Sequence, residues 1–213
     1  MPIDLWCAPG VFLAQVREDV VVLDVKADRY DCLLDAADRI VIGPDGSLRT
    51  SDQDVAHDLL VAGIGSADRP RTPRRAPEPA QRELATPSSP PTLARIEAGL
   101  SLARATLAFR GRTLGELIEA ARRPSPPHTA GDDLLGDLVA AARAALPWVP
   151  FEGECLQRAF QLKCLLARRG VATDWVFGVR TWPFAAHCWL QVGDVVVADS
   201  LERVRRYTPI MAA

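Results

Sequence analysis

Three residues in the last third of the chain are of types that do chemistry together. Cys155 stands in Gly153-Glu154-Cys155-Leu156-Gln157, where a helical pattern running to 168 begins. The unpaired amides and dipole of a helix N-terminus favour an anion, so a cysteine placed there is biased toward thiolate. The thiolate is the competent nucleophile. Taken alone, such a cysteine fits packing as well as catalysis. His187, in Ala185-Ala186-His187-Cys188-Trp189-Leu190, lies in a strand-like run. His128 falls in a Pro-rich loop and His57 on an early helical stretch, which leaves His187 as the histidine best placed to serve as a base. Asp199 follows the apolar run Val195-Val196-Val197-Ala198, and a carboxylate there must sit at a strand end or be paired. A thiol, an imidazole and a carboxylate in this order suit nucleophilic acyl transfer: Cys155 attacks, His187 moves the proton, and Asp199 fixes the imidazole tautomer and stabilises the imidazolium. The backbone amide of Cys155 is the natural first donor to an oxyanion.

The strands around His187 and Asp199 must bring the two together. A two-residue turn at Gly193-Asp194 would set Asp199 opposite Cys188, on the wrong face. A three-residue loop, Val192-Gly193-Asp194, would set it opposite His187. That loop, or a bulge with the same effect, is expected. The remaining cysteines are weaker candidates. Cys164 lies nine residues beyond Cys155 on the same helix, which is about half a revolution around it. Cys188 neighbours His187 on a strand and so points to the other face; both are expected to pack. Trp148 and Trp182 flank the three residues in sequence and could wall a substrate cleft, or pack at its rim.

The elements fall into two groups. Val11–Val16, Val20–Val25 and Arg29–Leu34 read as three strands, the first two joined by the polar turn Arg17-Glu18-Asp19. Helical stretches are expected over 35–42 and 52–62, separated by the turn Gly43-Pro44-Asp45-Gly46, with Ser51 or Asp52 as cap and Gly63 as terminator. This first unit, 1–66, is too small for an enzyme pocket and suits binding. Residues 67–91 hold seven of the chain's 17 prolines and read as an extended linker. The second unit, 92–213, opens with helices: Leu93, Ile96, Leu100, Ala103 and Leu107 recur at helical spacing, followed by Leu114–Ala121, Leu134–Leu146 and 154–168, with Ser125-Pro126-Pro127 as a break. Gly170 closes the last helix. Thr173–Val179, His187–Val192 and Val195–Ala198 then read as strands. Helices first and sheet later give an α+β class.

Bulk properties exclude several functions. The 213 residues carry a formal net charge of −2, so no basic field invites nucleic acid. No run approaches the ~20 apolar residues of a membrane span. No secretory signal is expected, no Gly-rich phosphate loop is present, and with five scattered cysteines and three histidines no metal site is expected. The expected setting is cytoplasmic, where thiols stay reduced.

These blocks, in order, carry a resemblance. Cys155-Leu156-Gln157-Arg158-Ala159-Phe160, Leu165-Leu166-Ala167-Arg168-Arg169-Gly170, Phe177-Gly178-Val179-Arg180, Pro183-Phe184-Ala185-Ala186-His187-Cys188-Trp189, Asp199 and Tyr207-Thr208-Pro209-Ile210 resemble the transglutaminase-like B proteins of lasso peptide biosynthesis. The usual pattern has Ala where this chain has Cys188, and often Arg-Ser after the first cysteine-leucine pair. More loosely, Leu23-Asp24-Val25 followed by Arg29-Tyr30 resembles the family's precursor-recognition element, here fused to the same chain.

The resemblance implies a winged-helix-like domain of three strands and three helices, a Pro-rich linker and a papain-type, transglutaminase-like cysteine peptidase domain. It implies leader cleavage from a ribosomal precursor peptide by Cys155, His187 and Asp199. The leader would add a strand at the edge carrying Tyr30, Cys32 and Leu34, beside Leu59 and Leu60, residues that could equally be core. A tethered leader-binding unit would raise the local concentration of the scissile bond to about millimolar. The implied partner is an ATP-dependent, asparagine-synthetase-like cyclase; no cofactor is expected on this chain, and ATP use belongs to that partner. Other readings are a different Cys-His-Asp acyltransferase, or a non-catalytic adaptor that carries the precursor to the cyclase.

Overall fold

Val20, Val21, Val22 and Leu23 are almost wholly buried, all four in succession. A run buried on both faces belongs to a central strand, and in the computed structural model it is one. The structure describes residues 2–70, 74, 77–85, 89–122, 131–149 and 154–213. In chain order the first elements are β1 (Ile3–Cys7), β2 (Val11–Val16), β3 (Asp19–Asp24), β4 (Arg29–Leu33), β5 (Val41–Ile42), β6 (Ser47–Thr50), α1 (Gln53–Val61) and β7 (Gly65–Ser66). There follow β8 (Arg82–Glu83), α2 (Thr92–Phe109), α3 (Leu114–Ala121), α4 (Asp132–Ala145), a 3-10 turn (Leu146–Trp148), α5 (Cys155–Arg168), β9 (Asp174–Arg180), β10 (Ala185–Val192), β11 (Val195–Val197), α6 (Leu201–Val204) and β12 (Thr208–Ala212). The class is α+β. Contacts group Met1–Pro77, Phe177–Ala186 and Tyr207–Ala212 into one unit, and Glu78–Val176, His187–Arg206 and Ala213 into another.

In the first unit β2, β3 and β4 form an antiparallel meander in that order. Val16 pairs with Asp19 across a two-residue turn in which Arg17 has a φ of 57°. A second sheet has the order β5-β6-β1-β7. Leu5, Leu13, Val20, Val22, Ile40, Leu48, Val55 and Leu59 meet in one core, each apolar side chain contributing about 1.5–3 kcal/mol by burial. Asp52 is the residue that caps α1, its carboxylate accepting from the N–H groups of Asp54 and Val55. Gly63, at φ 69°, ends that helix as expected.

Two expectations for this unit need correction. Residues 35–42 are not a helix: Asp35 takes a left-handed φ of 52°, Ala37 N–H donates to Glu18 O, and Val41–Ile42 become β5. A left-handed residue at the entrance breaks the helical path, and Ile40 is drawn into the core instead. Consequently the three-helix expectation fails: among the described residues of Met1–Pro77, α1 is the sole helix. The strand β1, absent from the sequence reading, pairs with β6 and β7.

In the second unit α2 packs on α4 and α5, and α3 on α5. Phe160 and Leu166 of α5 are buried, as is Trp175 of β9; the Phe160 and Trp175 rings meet at 6.0 Å. Thr113 and Glu116 form a reciprocal capping box on α3. The break expected at Ser125-Pro126-Pro127 lies outside the described residues. The unit's strands β10, β11 and β8 are neighbours in that order, β10 antiparallel and β8 parallel to β11. Lys163, buried on α5, donates to Thr173 O at 2.5 Å and Ala213 O at 3.2 Å. Burial holds its pKa below the usual lysine value.

Within the stretch read as linker, residues 78–85 are built into this unit. Arg82 and Glu83 pair in parallel with Val195 and Val196, and Leu84 is buried. Arg82 forks onto both carboxylate oxygens of Asp194, and Glu78 O accepts from Gln191 Nε2. The edge of β11 needs a ladder partner, and the short extended segment Arg82–Leu84 supplies one. A second departure concerns α2. Its apolar stripe Leu93, Ile96, Leu100 and Leu107 is exposed, while Ala98, Leu102 and Ala105 form the packed face. Small residues let neighbouring helices approach, so the Ala-rich face faces α5 and α4.

Candidate active site

Cys155 is the first residue of α5. Its predecessor Glu154, at the N-cap, makes no side-chain capping bond. The first-turn N–H groups and the helix dipole favour an anion at this position. The Gly153 that precedes them lies outside the described residues. His187 lies on β10, and its Nε2 is 2.6 Å from Asp199 Oδ2. That bond fixes the tautomer: Nε2–H donates to the carboxylate, so the ring's bond with Cys155 is made on the Nδ1 side. The His187 ring also stacks on Trp189, with centroids 6.0 Å apart. Cys155, His187 and Asp199 are thus linked in one chain of hydrogen bonds.

Of the two expected routes from Asp199 to His187, the three-residue loop is not the one taken; a bulge-like break after β11 takes its place. Val192 pairs with Val195 and Leu190 with Val197, so the turn is the two-residue Gly193-Asp194, not a three-residue loop. Gly193 has a φ of 58°, as the first central position of such a turn requires. In that register a continued strand would aim Asp199 at the wrong face. The strand stops at Val197, and Ala198 takes a φ of 61°. One left-handed residue reverses the alternation and re-aims the next side chain, as a bulge does. Ser200 N–H donates to Asp199 Oδ1 at 2.7 Å and holds the second carboxylate oxygen. Ser200 then caps the short helix α6 through Arg203 N–H.

The electrostatics follow from these bonds. The Cys155 thiol is lowered to about 4 by hydrogen bonds from the Cys188 thiol and from His187, with the Cys188 backbone N–H and the imidazolium charge adding to them against partial burial. His187 is raised to about 9, first by the Asp199 carboxylate and then by Cys155. Burial pushes Asp199 up, yet the His187 and Ser200 donors prevail and leave it below the usual carboxylate value. Near neutral pH the pair is therefore thiolate and imidazolium. This arrangement can deliver a nucleophile and a proton donor side by side without a prior proton transfer.

Cys188 corrects the sequence reading. It is buried, but its thiol and its backbone N–H both reach Cys155, and as donor to the thiolate its own pKa is raised. Strand alternation put it on the far face; a sulfur at a helix N-terminus that bonds the backbone of the facing strand can be reached from both neighbouring positions. The adjacency of the thiol to the histidine was the one signal for it. Cys164, on α5, is partly buried, and none of the five cysteines forms a disulfide.

The other expected contacts are dispersed. Trp148, in the 3-10 turn, is exposed and lines an apolar groove of about 450 Å³ with Ile96, Leu100 and Val149. Trp182 belongs to the first unit, where its indole Nε1 donates to Asp19 at 2.8 Å. Tyr30 and Cys32 lie on β4, the outer strand of the meander, and Leu34 follows it, exposed. Leu60 is partly exposed, whereas Leu59 is in the core. Among the described residues no group of His, Cys, Asp and Glu is arranged to hold a metal ion, and no helix is long and apolar enough to cross a membrane.

Comparison with known proteins follows the same residues. The transglutaminase-like superfamily matches residues 98–212, a span that includes Cys155, His187 and Asp199. The Microcin J25-processing protein McjB of Escherichia coli is 40% identical over 50 residues, which is 24% of this chain and 24% of that protein. No solved structure matches. More than half of the 213 residues fall within the family match, and the chain belongs to the transglutaminase-like superfamily.

Proposed function

We propose that this chain is a thiol peptidase that removes the leader from a ribosomal precursor peptide of the lasso type. The observation that carries the reading is the hydrogen-bonded series Cys155–His187–Asp199 at a helix N-terminus. The similarity to a protein described as processing Microcin J25 supplies the substrate class.

In the proposed reaction the Cys155 thiolate attacks the scissile carbonyl carbon. The carbonyl electrons move onto oxygen, where the Cys155 backbone N–H at the head of α5 can stabilise them. Collapse breaks the C–N bond as the Nδ1–H of His187 protonates the leaving amine. His187, now neutral, takes a proton from water; hydroxide attacks the thioester, and the thiolate leaves as the acid product is released. Asp199 keeps the ring oriented throughout and stabilises its charged form.

The first unit is proposed as the leader-recognition element, with β4 as the edge that accepts an added strand. Leu59 would support that edge from the core, and Tyr30, Cys32, Leu34 and Leu60 would face the peptide. An ATP-dependent cyclase is the proposed partner, and a cytoplasmic setting would keep the thiols reduced.

The test is incubation of the purified chain with a lasso precursor, with and without cyclase and ATP, followed by peptide masses. Cleavage at the leader–core junction by wild type and not by Cys155→Ala is expected. Cleavage by both, or by neither under every condition, would remove Cys155 as nucleophile and favour an adaptor. Product joined to an added amine in place of water would mark an acyltransferase.

A further inference from the structure

Trp182 is a large apolar residue that remains 62% exposed, and Phe184 is 51% exposed. Both stand in the turn between β9 and β10, in the part of the chain that groups with the first unit. Trp182 holds a φ of 49°, a conformation that a bulky side chain adopts only when its surroundings impose it. The imposing group is visible. Asp19 is 2% exposed, and its carboxylate accepts from Asp35 N–H through Oδ1 and from the Trp182 indole through Oδ2. A buried acceptor therefore fixes the indole edge while its face stays in water. Phe184 is held against Tyr30, with ring centroids 5.7 Å apart.

Together Tyr30, Asp31, Cys32, Thr181, Trp182 and Phe184 enclose an open cavity of about 140 Å³. It is mostly apolar, and it lies on β4, which among the described residues pairs on one side with β3 and is the last strand of its sheet. An unpaired strand edge fits one kind of occupant well, an extended peptide that continues the ladder. Alternate side chains of an added strand point to the same face, so one of them would be presented to the cavity. The exposed Asp28 and Asp35 flank the strand at its two ends, which disfavours an acidic segment there.

We infer that the Thr181–Phe184 turn and β4 form a subsite that takes one large apolar side chain of an extended, non-acidic stretch of the leader. This rests on the leader-binding reading above and adds a specificity determinant to it: the turn that leads into the His187 strand also reads the peptide. Exposed aromatic faces already locked in place lose little entropy on binding, which is the advantage of preorganisation.

The test uses the full chain with Cys155→Ala, so that the probe is not cut, and a fluorescein-labelled lasso leader peptide followed by anisotropy. Trp182→Ala and Phe184→Ala are each expected to raise Kd about tenfold or more, the scale of one lost apolar contact. Single Ala replacements along the peptide should then identify one apolar position whose loss weakens the starting protein equally but costs nothing further in Trp182→Ala. Trp182→Phe, which keeps the aromatic wall, should retain most of the affinity. Circular dichroism checks folding, and Phe184, which is half exposed and makes no side-chain hydrogen bond, carries the test if Trp182→Ala is destabilised. Unchanged Kd in both variants, or losses coupled to no peptide position, would overturn the subsite while leaving leader binding intact. Absence of any binding by the starting protein would overturn the leader-binding reading itself, and the subsite with it.

Discussion

His187 Nε2 and Asp199 Oδ2 lie 2.6 Å apart although the strand register between them would aim Asp199 elsewhere. The contact depends on Ala198, whose left-handed backbone turns the chain between the last ladder residue, Val197, and the carboxylate. One backbone conformation thus decides whether the imidazole has an orienting acid.

That dependence is open to mutation. Ala198→Gly should preserve activity and be neutral or slightly stabilising, because glycine adopts this φ without steric cost. Ala198→Val should be destabilised by about 1–3 kcal/mol, the cost of forcing a branched residue into that region. It should also lose activity as Asp199 is displaced. Thermal unfolding and leader cleavage by the two variants, measured together, check this; equal activity in both would show that Ala198 is not the pivot.

The charge state of the thiol can be read without a substrate. With Cys155 lowered to about 4 and His187 raised to about 9, the ion pair forms as pH rises through the lower value and is lost as His187 deprotonates through the upper one. Iodoacetamide should therefore alkylate Cys155 rapidly even at pH 5, while Cys32, exposed but raised by desolvation and by Asp19, should react only in alkali. Cleavage should follow a bell over the same window, its limbs belonging to the coupled pair. Mass mapping of the alkylated cysteines against pH decides the matter, and a Cys155 midpoint near 9 would exclude the ion pair.

Cys188 adds a donor to the thiolate. Replacing it by alanine removes the S–H bond but keeps the backbone N–H. A hydrogen bond to a charged group is worth about 1.5–3 kcal/mol, so the Cys155 midpoint should rise by about one to two pH units. The same alkylation profile measures it, and an unmoved midpoint would show that the S–H bond contributes nothing to the thiolate.

Asp199→Asn keeps an acceptor for Nε2–H but removes the charge. The upper limb of the profile should fall from about 9 toward the ordinary histidine value of 6.5. The rate at neutral pH should fall by about 10⁴-fold, the scale of loss when a triad aspartate is replaced by asparagine. A shifted limb with an unchanged maximal rate would assign Asp199 to tuning alone.

The packing of α2 yields a stability test. Leu102 is buried and Leu100 is exposed, two residues apart on one helix. Leu102→Ala should cost about 2–5 kcal/mol, whereas Leu100→Ala should lie within about 0.5 kcal/mol. Urea unfolding midpoints of the two variants give the comparison, and the reverse order would show that the other face is the packed one.

Much of this was legible in the chain itself. The helices near 92–109, 114–121, 132–145 and 155–168 and the strands that follow announce themselves by local period, because a 3.6 or 2.0 repeat is a property of neighbouring residues. The same locality put a cysteine at a helix start, a histidine within a strand and an aspartate at a strand end. What local pattern could not decide was which surface finds a partner. Leu93, Ile96, Leu100 and Leu107 recur at helical spacing, yet the Ala-rich face of α2 is the packed one, because close approach to α4 and α5 is settled by the shapes of those helices. The helix expected at 35–42 gave way to the pull of the core on Ile40 and the bond from Ala37 to Glu18. Gln81–Leu84 left the linker because β11, more than a hundred residues away, offered an unpaired edge. The hairpin register, the left-handed Ala198 and the two-sided approach of Cys188 to Cys155 are likewise settled by contacts distant in sequence. The sequence by itself determined the kinds of elements and the chemical types they carry; the tertiary structure alone decided their faces and aim, because those depend on which distant segments close against each other.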